Sequence, residues 1–250
     1  MSPAVISPDG RWWWDGTQWR SRLVEGELDL FWFTSTQDWI PRILVTGLIG
    51  LIPIVGIINM YGWTLTATDM VRQRWRELPP AGFQYLERGV APFVVGLVYG
   101  VVALLVLGSL ALTAILVGSS DHGRVAIAIL IGLLDVLLAI AWWLLMLYMF
   151  AAILAGSDRL GIERALDPRR LWAIARANSG PTLSIAGIYL LGALALAAIG
   201  AGVGIVVPFG GLIVNLGLPG VFAILVPFLV RITVDAAPPP TTSESIQHAG

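Results

Sequence analysis

Long uncharged stretches alternate with short arginine-bearing segments along this chain. Residues 43–68, 89–120 and 181–230 contain no charged residue, and residues 125–156 contain only Asp135. A helix needs about 20 consecutive apolar residues to cross the hydrocarbon core of a bilayer. Each stretch is therefore long enough to cross once, and the longest can cross twice. The pattern predicts an all-α integral membrane helical bundle.

The four full transmembrane helices predicted from this pattern lie near residues 90–117, 125–154, 183–206 and 212–231. The last two result from dividing the longest stretch at its Pro-Phe-Gly-Gly sequence. The first stretch, 43–68, differs from the others because Gly and Pro residues interrupt it. It can either cross the membrane once or turn back near Pro53 as a re-entrant hairpin.

The distribution of arginine favours the hairpin. Four Arg precede residues 43–68, four follow, Arg124 stands alone between the next two spans, five follow residue 156, and Arg231 follows the last span. A single crossing would place one four-Arg group outside, against the positive-inside rule. A re-entrant segment leaves only Arg124 outside, and its irregular backbone is tolerated where neighbouring helices bury it. We therefore expect a multi-pass plasma-membrane protein with both termini in the cytoplasm.

Composition agrees with this class and excludes others. The mean hydropathy is +0.82, with 57% hydrophobic and 12% charged residues, a balance typical of membrane proteins. The net charge of −1 argues against a nucleic-acid partner. The chain has no cysteine, so it has no disulfide bond, and all of its basic residues are arginine, whose planar guanidinium suits phosphate contacts.

Residues 1–24 form a tryptophan-rich mini-module. Asp15-Gly16 between aromatic residues is a strong signal for a β-hairpin, because Gly supplies the positive φ that the turn needs. The stretch at about 8–20 resembles the short module known as domain of unknown function 2510, common in actinobacterial membrane proteins. The resemblance rests on Arg11, Trp13, Trp14, Asp15, Gly16 and Trp19. Either a self-packed aromatic unit or a docking site for an unknown protein partner or for lipid is consistent with it.

Three further segments surround the membrane domain, which we assign to residues 43–235. Residues 25–42 are an acidic linker followed by aromatic residues that suit the membrane interface. Residues 79–90 are expected to form a short interfacial helix. Residues 236–250 are rich in Pro, Ser and Thr and are predicted to be a disordered tail.

The region from about 38 to 231 resembles an uncharacterised polytopic membrane family, domain of unknown function 4013. The resemblance rests on Asp38-Trp39, the Ile52–Gly56 core, Tyr61-Gly62, Arg72, Arg74, Arg76, Leu78-Pro79 and Arg88-Gly89. It implies a helical membrane bundle. It implies no substrate, catalytic residue or cofactor.

Catalytic and metal-binding chemistry has little support in the sequence. The two histidines, His122 and His248, are far apart, and no cysteine accompanies them, so no metal site can be assembled from them. No phosphate-binding Gly-rich loop or nucleophile motif is present. We therefore expect a protein that is not an enzyme and that needs no cofactor.

Four polar residues in or near the apolar stretches are candidates for function: Asp135, Asn59, Asp69 and Asn215. Asn side chains commonly hold helices together by interhelical hydrogen bonds, whereas ionisable groups in a membrane often mark ion or substrate pathways. Asp135 lies near the middle of its predicted span. A carboxylate there is costly, so we expect it to face the interior of the bundle.

Two further groups have a predicted role at the helix surfaces. Small residues four apart let helix backbones approach closely, which predicts packing at Gly96, Gly100, Gly200 and Gly204. Asp167-Pro168 is a typical N-cap and first helical residue, so a basic amphipathic surface helix is expected at about 168–179. Its candidate contacts with anionic lipid phosphate at the cytoplasmic face are Arg169, Arg170 and Arg176.

Two functions remain open from the sequence. The first is a non-enzymatic membrane component that acts as a scaffold, a membrane organiser or an accessory of a larger complex. The second is a small transporter or channel whose pathway is lined by Asp135, Asn59 and Asn215, because helices broken by Gly and Pro can expose backbone to a substrate. A filled, dry bundle would favour the first, and a continuous polar cavity would favour the second.

Overall fold

A computed structural model describes residues 5–6, 12–14, 19–21, 29–73, 75, 77–120, 124–204 and 210–234. In this part of the chain the regular secondary structure is helical apart from three short strands. A 3₁₀ helix at Trp32–Ser35 precedes the seven α-helices. These are α1 (Trp39–Gly50), α2 (Val55–Arg72), α3 (Leu86–Ser120), α4 (Val125–Ala165), α5 (Pro168–Ala177), α6 (Ser179–Gly204) and α7 (Gly210–Leu229).

The strands belong to the N-terminal tryptophan-rich region. They are β1 (Val5–Ile6), β2 (Trp12–Trp14) and β3 (Trp19–Ser21), and both neighbouring pairs are antiparallel. In the second pair the Cα of Trp14 lies opposite that of Trp19. The predicted Asp15-Gly16 turn lies outside the described residues, as does the tail at 236–250.

Four helices, α3, α4, α6 and α7, are long and apolar enough to cross a membrane, which makes the chain a multi-pass membrane protein. Their outer surfaces fit a bilayer. Exposed large hydrophobic side chains extend from Leu97 to Leu116 on α3 and from Val125 to Leu145 on α4. Each run covers about the 20 residues that a hydrocarbon core requires.

The first apolar stretch is broken into α1 and α2, as its Gly and Pro residues predict. Pro53 has no backbone N–H and would clash with the preceding helical turn, so α1 cannot continue through it. At the break Ile54 has a φ of 65°, and the backbone N–H of Val55 donates to the carbonyl of Pro53 at 2.7 Å. The chain then returns along α1. The two helices are close at this point: a Cβ on Gly56 would lie 2.5 Å from the Ile49 carbonyl oxygen.

The segment before α1 and the segment after α2 are in contact. The guanidinium of Arg42 donates to the Leu78 carbonyl oxygen. The backbone N–H of Leu78 in turn donates to the Thr36 hydroxyl at 3.4 Å. Both ends of the α1–α2 hairpin therefore lie at the same side of the bundle.

The interfacial helix expected at 79–90 is wrong over its first part. Residues 78–85 contain no helix, and α3 begins only at Leu86. Two consecutive prolines start this segment, and its carbonyl groups bind α2 instead of forming a helical ladder. Trp63 Nε1 donates to the Pro79 carbonyl at 3.3 Å, and Asn59 Nδ2 donates to the Gly82 carbonyl at 2.9 Å.

The helices form two antiparallel pairs, α3 with α4 and α6 with α7, and α4 also packs against α5 and α6. The buried residues of α4 all lie in its second half, from Met149 onward. They pack with Leu171 of α5, Ile185 of α6 and Leu225 of α7. The hydrophobic core therefore lies at the end of the bundle where α3 begins and α7 ends.

The predicted packing role of Gly96 and Gly100 is wrong. Outside its own helical turn, a Cβ added at either position would meet no described atom within 4 Å, so no other described helix of this chain packs there. Gly200 is buried and Gly204 is exposed. The close approaches occur at Gly47, where a Cβ would lie 2.6 Å from Leu216 Cα, and at a pair defined by Gly62 and Gly89. In that pair a Cβ would overlap the carbonyl oxygens of Tyr85 and Ile58, respectively.

The surface helix α5 begins as predicted and faces the protein with its apolar side. The Asp167 side chain caps it by accepting from the Arg169 backbone N–H at 3.0 Å. A bend at Gly161, with a φ of 76°, redirects the chain before this point. Leu171 and Ile174 are buried, and a Cβ on Gly156 of α4 would lie 2.9 Å from Leu171 Cδ2. The apolar face of α5 is therefore occupied by α4.

Candidate functional site

The most densely connected polar group of the described residues is an ion cluster formed by Asp69, Arg72, Arg88 and Asp158. Arg88 forms a bidentate salt bridge with Asp158, with Nε–Oδ1 and Nη2–Oδ2 distances of 2.8 Å each. Its Nη2 also lies 2.6 Å from Asp69 Oδ2. Asp69 Oδ1 accepts from Arg72 Nη1 at 3.2 Å. The charges therefore alternate through the cluster, and each carboxylate has a cationic partner.

The ion cluster joins helices that are distant in sequence. Asp69 and Arg72 lie near the end of α2, Arg88 lies in the first turn of α3, and Asp158 lies in the second half of α4. Arg72 Nη2 further donates to the carbonyl of Leu229 in α7 at 3.4 Å. Because two-point Arg–carboxylate pairs have a fixed geometry, the cluster sets the relative positions of α2, α3 and α4.

A groove of about 620 Å³ opens beside the ion cluster. Most of its lining residues carry polar side chains; the lining consists of Thr66, Gln84, Tyr85, Glu87, Arg88, Ala91, Ser157, Asp158 and Gly161. The Tyr85 hydroxyl donates to the Pro80 carbonyl at 2.7 Å and accepts from Gln84 Nε2 at 2.9 Å. Burial raises the pKa of Tyr85, and the Gln84 hydrogen bond and the Arg42 charge oppose that shift only in part. Tyr85 therefore stays a neutral donor at physiological pH.

A second cavity, of about 10 Å³, lies on another side of Asp158. This volume is about that of one water-sized probe. Its lining comes from α2, α4 and α7 and consists of Leu65, Thr68, Arg72, Ala155, Asp158, Arg159 and Leu229. Asp158 lines both this cavity and the groove, and its carboxylate is held by Arg88 between them.

An aromatic cluster fills the space where four helices meet. It consists of Tyr61 of α2, Phe150 of α4, Tyr189 of α6 and Phe222 of α7. The ring centroids of Phe150 and Tyr189 are 5.3 Å apart, and those of Phe150 and Phe222 are 5.9 Å apart. These separations are typical of packed aromatic pairs, so this level of the bundle is filled by side chains.

Three of the polar residues selected from the sequence have separate surroundings. Asp69 is part of the ion cluster. Asn59 is buried against the 78–85 segment, and its Oδ1 has no hydrogen-bond partner among the described residues. Asn215 lies in α7, where its backbone carbonyl is close to Gly47 of α1.

Asp135 is half-buried in α4. It belongs to a series of half-buried positions at helical spacing, residues 128, 131, 135, 139 and 142, which identify the side of α4 that packs on α3. Its Oδ1 is buried and has no hydrogen-bond partner in the described part of the chain. The hydroxyls of Ser109 and Thr113 on α3 donate to carbonyls of their own helix.

None of the cavities described here is lined by Asp135, Asn59 or Asn215. A third, apolar crevice of about 230 Å³ lies between α3 and α4. It is lined by Ala103, Val106, Leu107, Leu138, Ala141, Trp142 and Leu145. No group of three or more His, Cys, Asp or Glu side chains that could hold a metal ion occurs among the described residues.

The three arginines selected on α5 are all exposed. Arg170 makes a loose pair with Asp167, with an Nε–Oδ2 distance of 3.5 Å. Trp172 is exposed as well and stacks at a tilt on Tyr148, with 5.6 Å between ring centroids. The charged face of α5 is thus free to contact an external partner.

Sequence reasoning missed Arg88 and Asp158 as partners, and it missed Asn178. Arg88 and Asp158 lie at equal sequence distance from the loop between α3 and α4, so an antiparallel register for the two helices would have paired them. Asn178, between α5 and α6, binds Thr233 after α7: its Oδ1 accepts from the Thr233 backbone N–H at 3.0 Å, and its Nδ2 donates to the Thr233 carbonyl at 2.9 Å. No sequence pattern indicates that contact.

Residues 45–216 match the family described as Protein of unknown function (DUF4013). The chain belongs to this family. No curated protein and no solved structure matches it. The DUF4013 match does not extend to residues 8–20, so the likeness of the tryptophan-rich region to domain of unknown function 2510 stays a prediction.

Proposed function

We propose that this DUF4013 protein is a non-enzymatic component of the plasma membrane that acts as a scaffold, membrane organiser or accessory of a larger complex. Its α1–α2 segment is a re-entrant hairpin, α3, α4, α6 and α7 cross the bilayer, and both termini lie in the cytoplasm.

Two observations support this topology. The contacts of Leu78 with Arg42 and Thr36 bring the two ends of the hairpin together, as a segment that returns to its own side requires. The hairpin also exposes Leu48, Ile52 and Ile54, whose apolar surface belongs in lipid. With this topology the arginine-rich segments face the cytoplasm and Arg124 faces outside.

The observation that carries the scaffold function is the aromatic cluster. A pathway through the bundle would need a polar or water-filled space where the helices converge. The four rings fill that level instead, and the cavity of about 10 Å³ beside Asp158 has room for about one water. A filled bundle favours a structural role over conduction.

Two surfaces are suited to partners. The tryptophan-rich region at 1–24 would bind a protein partner, because Trp combines a large apolar area with an N–H donor. The exposed arginines of α5 would contact anionic lipid at the cytoplasmic face, where each basic residue near the surface adds about 1 kcal/mol.

Asp135 supports the second candidate, a small transporter or channel. Its buried Oδ1 has no hydrogen-bond partner among the described residues, which is a costly arrangement for a structural carboxylate. Asn59 and Asn215 would complete the pathway in that case. The separate surroundings of these three side chains make this candidate the weaker one.

Flux through proteoliposomes distinguishes the two functions. The intact protein is reconstituted with a pH-sensitive dye inside, and a potassium gradient with valinomycin drives protons. The scaffold function predicts proton flux equal to that of protein-free liposomes, for the native chain and for Asp135→Asn alike. Flux above that background which disappears in Asp135→Asn would overturn it in favour of transport. A protonophore added at the end verifies that every liposome sample can respond.

A further inference from the structure

The groove beside the ion cluster contains hydrogen-bonding groups that no described residue uses. Arg88 employs its Nε and Nη2 in the ion cluster, while its Nη1 has no partner in the described part of the chain. Glu87, the preceding residue, is exposed and has no ion pair with any described residue. A guanidinium edge and a carboxylate with no ion pair among the described residues thus line the same groove at the start of α3.

This pairing of opposite charges defines the ligand chemistry. Guanidinium N–H groups bind phosphate oxygens through charge-assisted hydrogen bonds, and a carboxylate binds a primary ammonium in the same way. A ligand that carries both groups close together satisfies both side chains. The groove volume of about 620 Å³ is in the usual range for small-molecule sites, about 300–1,000 Å³.

The surroundings of the groove indicate that the ligand has an apolar part. Phe83, just before the groove residues, is 50% exposed, and Val90, one turn after Glu87, is 40% exposed. From there the exposed hydrophobic surface of α3 begins at Leu97. A polar site that continues into lipid-facing surface fits a lipid, with its headgroup in the groove and its acyl chains along α3.

We propose that the groove is a binding site for an aminophospholipid, with the phosphate of a phosphoethanolamine headgroup on Arg88 Nη1 and its ammonium on Glu87. Gln84 lines the same groove and accepts a further ammonium N–H through its Oε1. The site is separate from the exposed arginines of α5, and it holds for either of the functions proposed above.

The chemistry predicts an order among lipids. A choline headgroup carries no N–H, so it cannot donate to Glu87. A glycerol headgroup has no positive charge to pair with this carboxylate. We expect phosphatidylethanolamine to bind more tightly than phosphatidylcholine or phosphatidylglycerol, by about tenfold, the size of one charge-assisted hydrogen bond.

The preference is measured by native mass spectrometry of the intact protein, released from detergent micelles with one lipid added at a time. Glu87→Gln removes the carboxylate charge at an exposed position and should abolish the preference for phosphatidylethanolamine. Glu163→Gln is the matched control, because Glu163 is an exposed glutamate of α4 outside the groove. Glu87→Arg should shift the preference to phosphatidylglycerol.

Two results would overturn the proposal. The first is an equal loss of preference in Glu87→Gln and Glu163→Gln, or no loss in either. The second concerns the source of the headgroup. If soluble phosphoethanolamine displaces the lipid at equal concentration, the apolar surface contributes nothing and the ligand is not a lipid. Displacement only at a large excess of the soluble compound supports the lipid.

Discussion

Arg88 in the first turn of α3 and Asp158 in the second half of α4 form a two-point ion pair, with both N–O distances at 2.8 Å. Asp158 is the less exposed of the two, at 14% of its side-chain surface. Arg88 also binds Asp69, so one guanidinium neutralises carboxylates from two other helices. This contact fixes where α2, α3 and α4 meet.

Replacing Arg88 by Ala is therefore expected to destabilise the fold by about 1–3 kcal/mol, because two partly buried carboxylates lose their common partner. Thermal unfolding in a mild detergent measures the change. Arg164→Ala is the control: Arg164 is an exposed arginine of α4 with no ion pair among the described residues, and its loss should cost less than about 0.5 kcal/mol. Equal losses in the two variants would contradict a structural role for the ion cluster.

Close packing of α2 against the start of α3 predicts that Gly62→Ala is poorly tolerated. The added methyl group would overlap the Tyr85 carbonyl oxygen, and backbone cannot move aside as a flexible side chain can. Such overpacking costs about 1–3 kcal/mol or more. The measurement is the thermal unfolding midpoint of each purified variant.

Gly100→Ala is the matched control for this substitution. Position 100 is helical and has no described atom within 4 Å of a new Cβ, so Ala should be neutral or stabilise the helix by about 0.5–1 kcal/mol. The opposite ranking, with Gly100→Ala more harmful than Gly62→Ala, would show that the helices pack through the Gly96–Gly100 face instead.

The difference between these two glycines shows what the sequence can and cannot predict. Uncharged length predicts the stretches that form the four spans, and Pro53 predicts the break in the first stretch, because each depends on local chemistry. Spacing of small residues predicts only that a helix has a smooth face. Which face meets a neighbour depends on the tertiary arrangement, so the spacing predicts a contact at Gly96 and Gly100, whereas Gly62 and Gly89 make it.

Prediction of the candidate site from the sequence is limited in the same way. Asp69 is recognisable because it ends an apolar stretch, but its partners Arg88 and Asp158 come from two other helices. Only a correct α3–α4 register would bring them together. The Asn178–Thr233 contact depends on how the chain returns after α7, for which the sequence carries no local signal.

Asn178 is expected to hold the segment after α7. Asn178→Ala removes the acceptor of the Thr233 backbone N–H and the donor to its carbonyl, and we expect a loss of about 1–3 kcal/mol. Hydrogen exchange should rise at residues 230–234, where these bonds hold the backbone. Ser184→Ala, which removes an exposed hydroxyl that binds only its own helix, should leave exchange there unchanged. Unaltered exchange in Asn178→Ala would refute the anchoring role.

The helix α5 should keep its structure without anionic lipid, because Leu171 and Ile174 are buried against the protein and not in the bilayer. Hydrogen exchange in nanodiscs tests this. We expect residues 168–177 of the native chain to be protected in both neutral and anionic nanodiscs. Leu171→Ser should lose protection in both, whereas exposed Ala173→Ser should keep it. Protection of the native helix only in anionic nanodiscs would mean that lipid, and not α4, holds it.

The return of the first segment to its own side of the membrane is the arrangement on which the proposed topology depends. Gln37 before α1 and Gln73 after α2 are both exposed, and the chain has no native cysteine. Single cysteines are placed at these positions, at Ser119 as an external control, and at Arg164 as an internal control. Intact cells are then treated with a membrane-impermeant thiol reagent. We predict labelling at 119 only, with 37, 73 and 164 protected until the cells are opened. Labelling of only one of positions 37 and 73 in intact cells would contradict the hairpin and establish a single crossing.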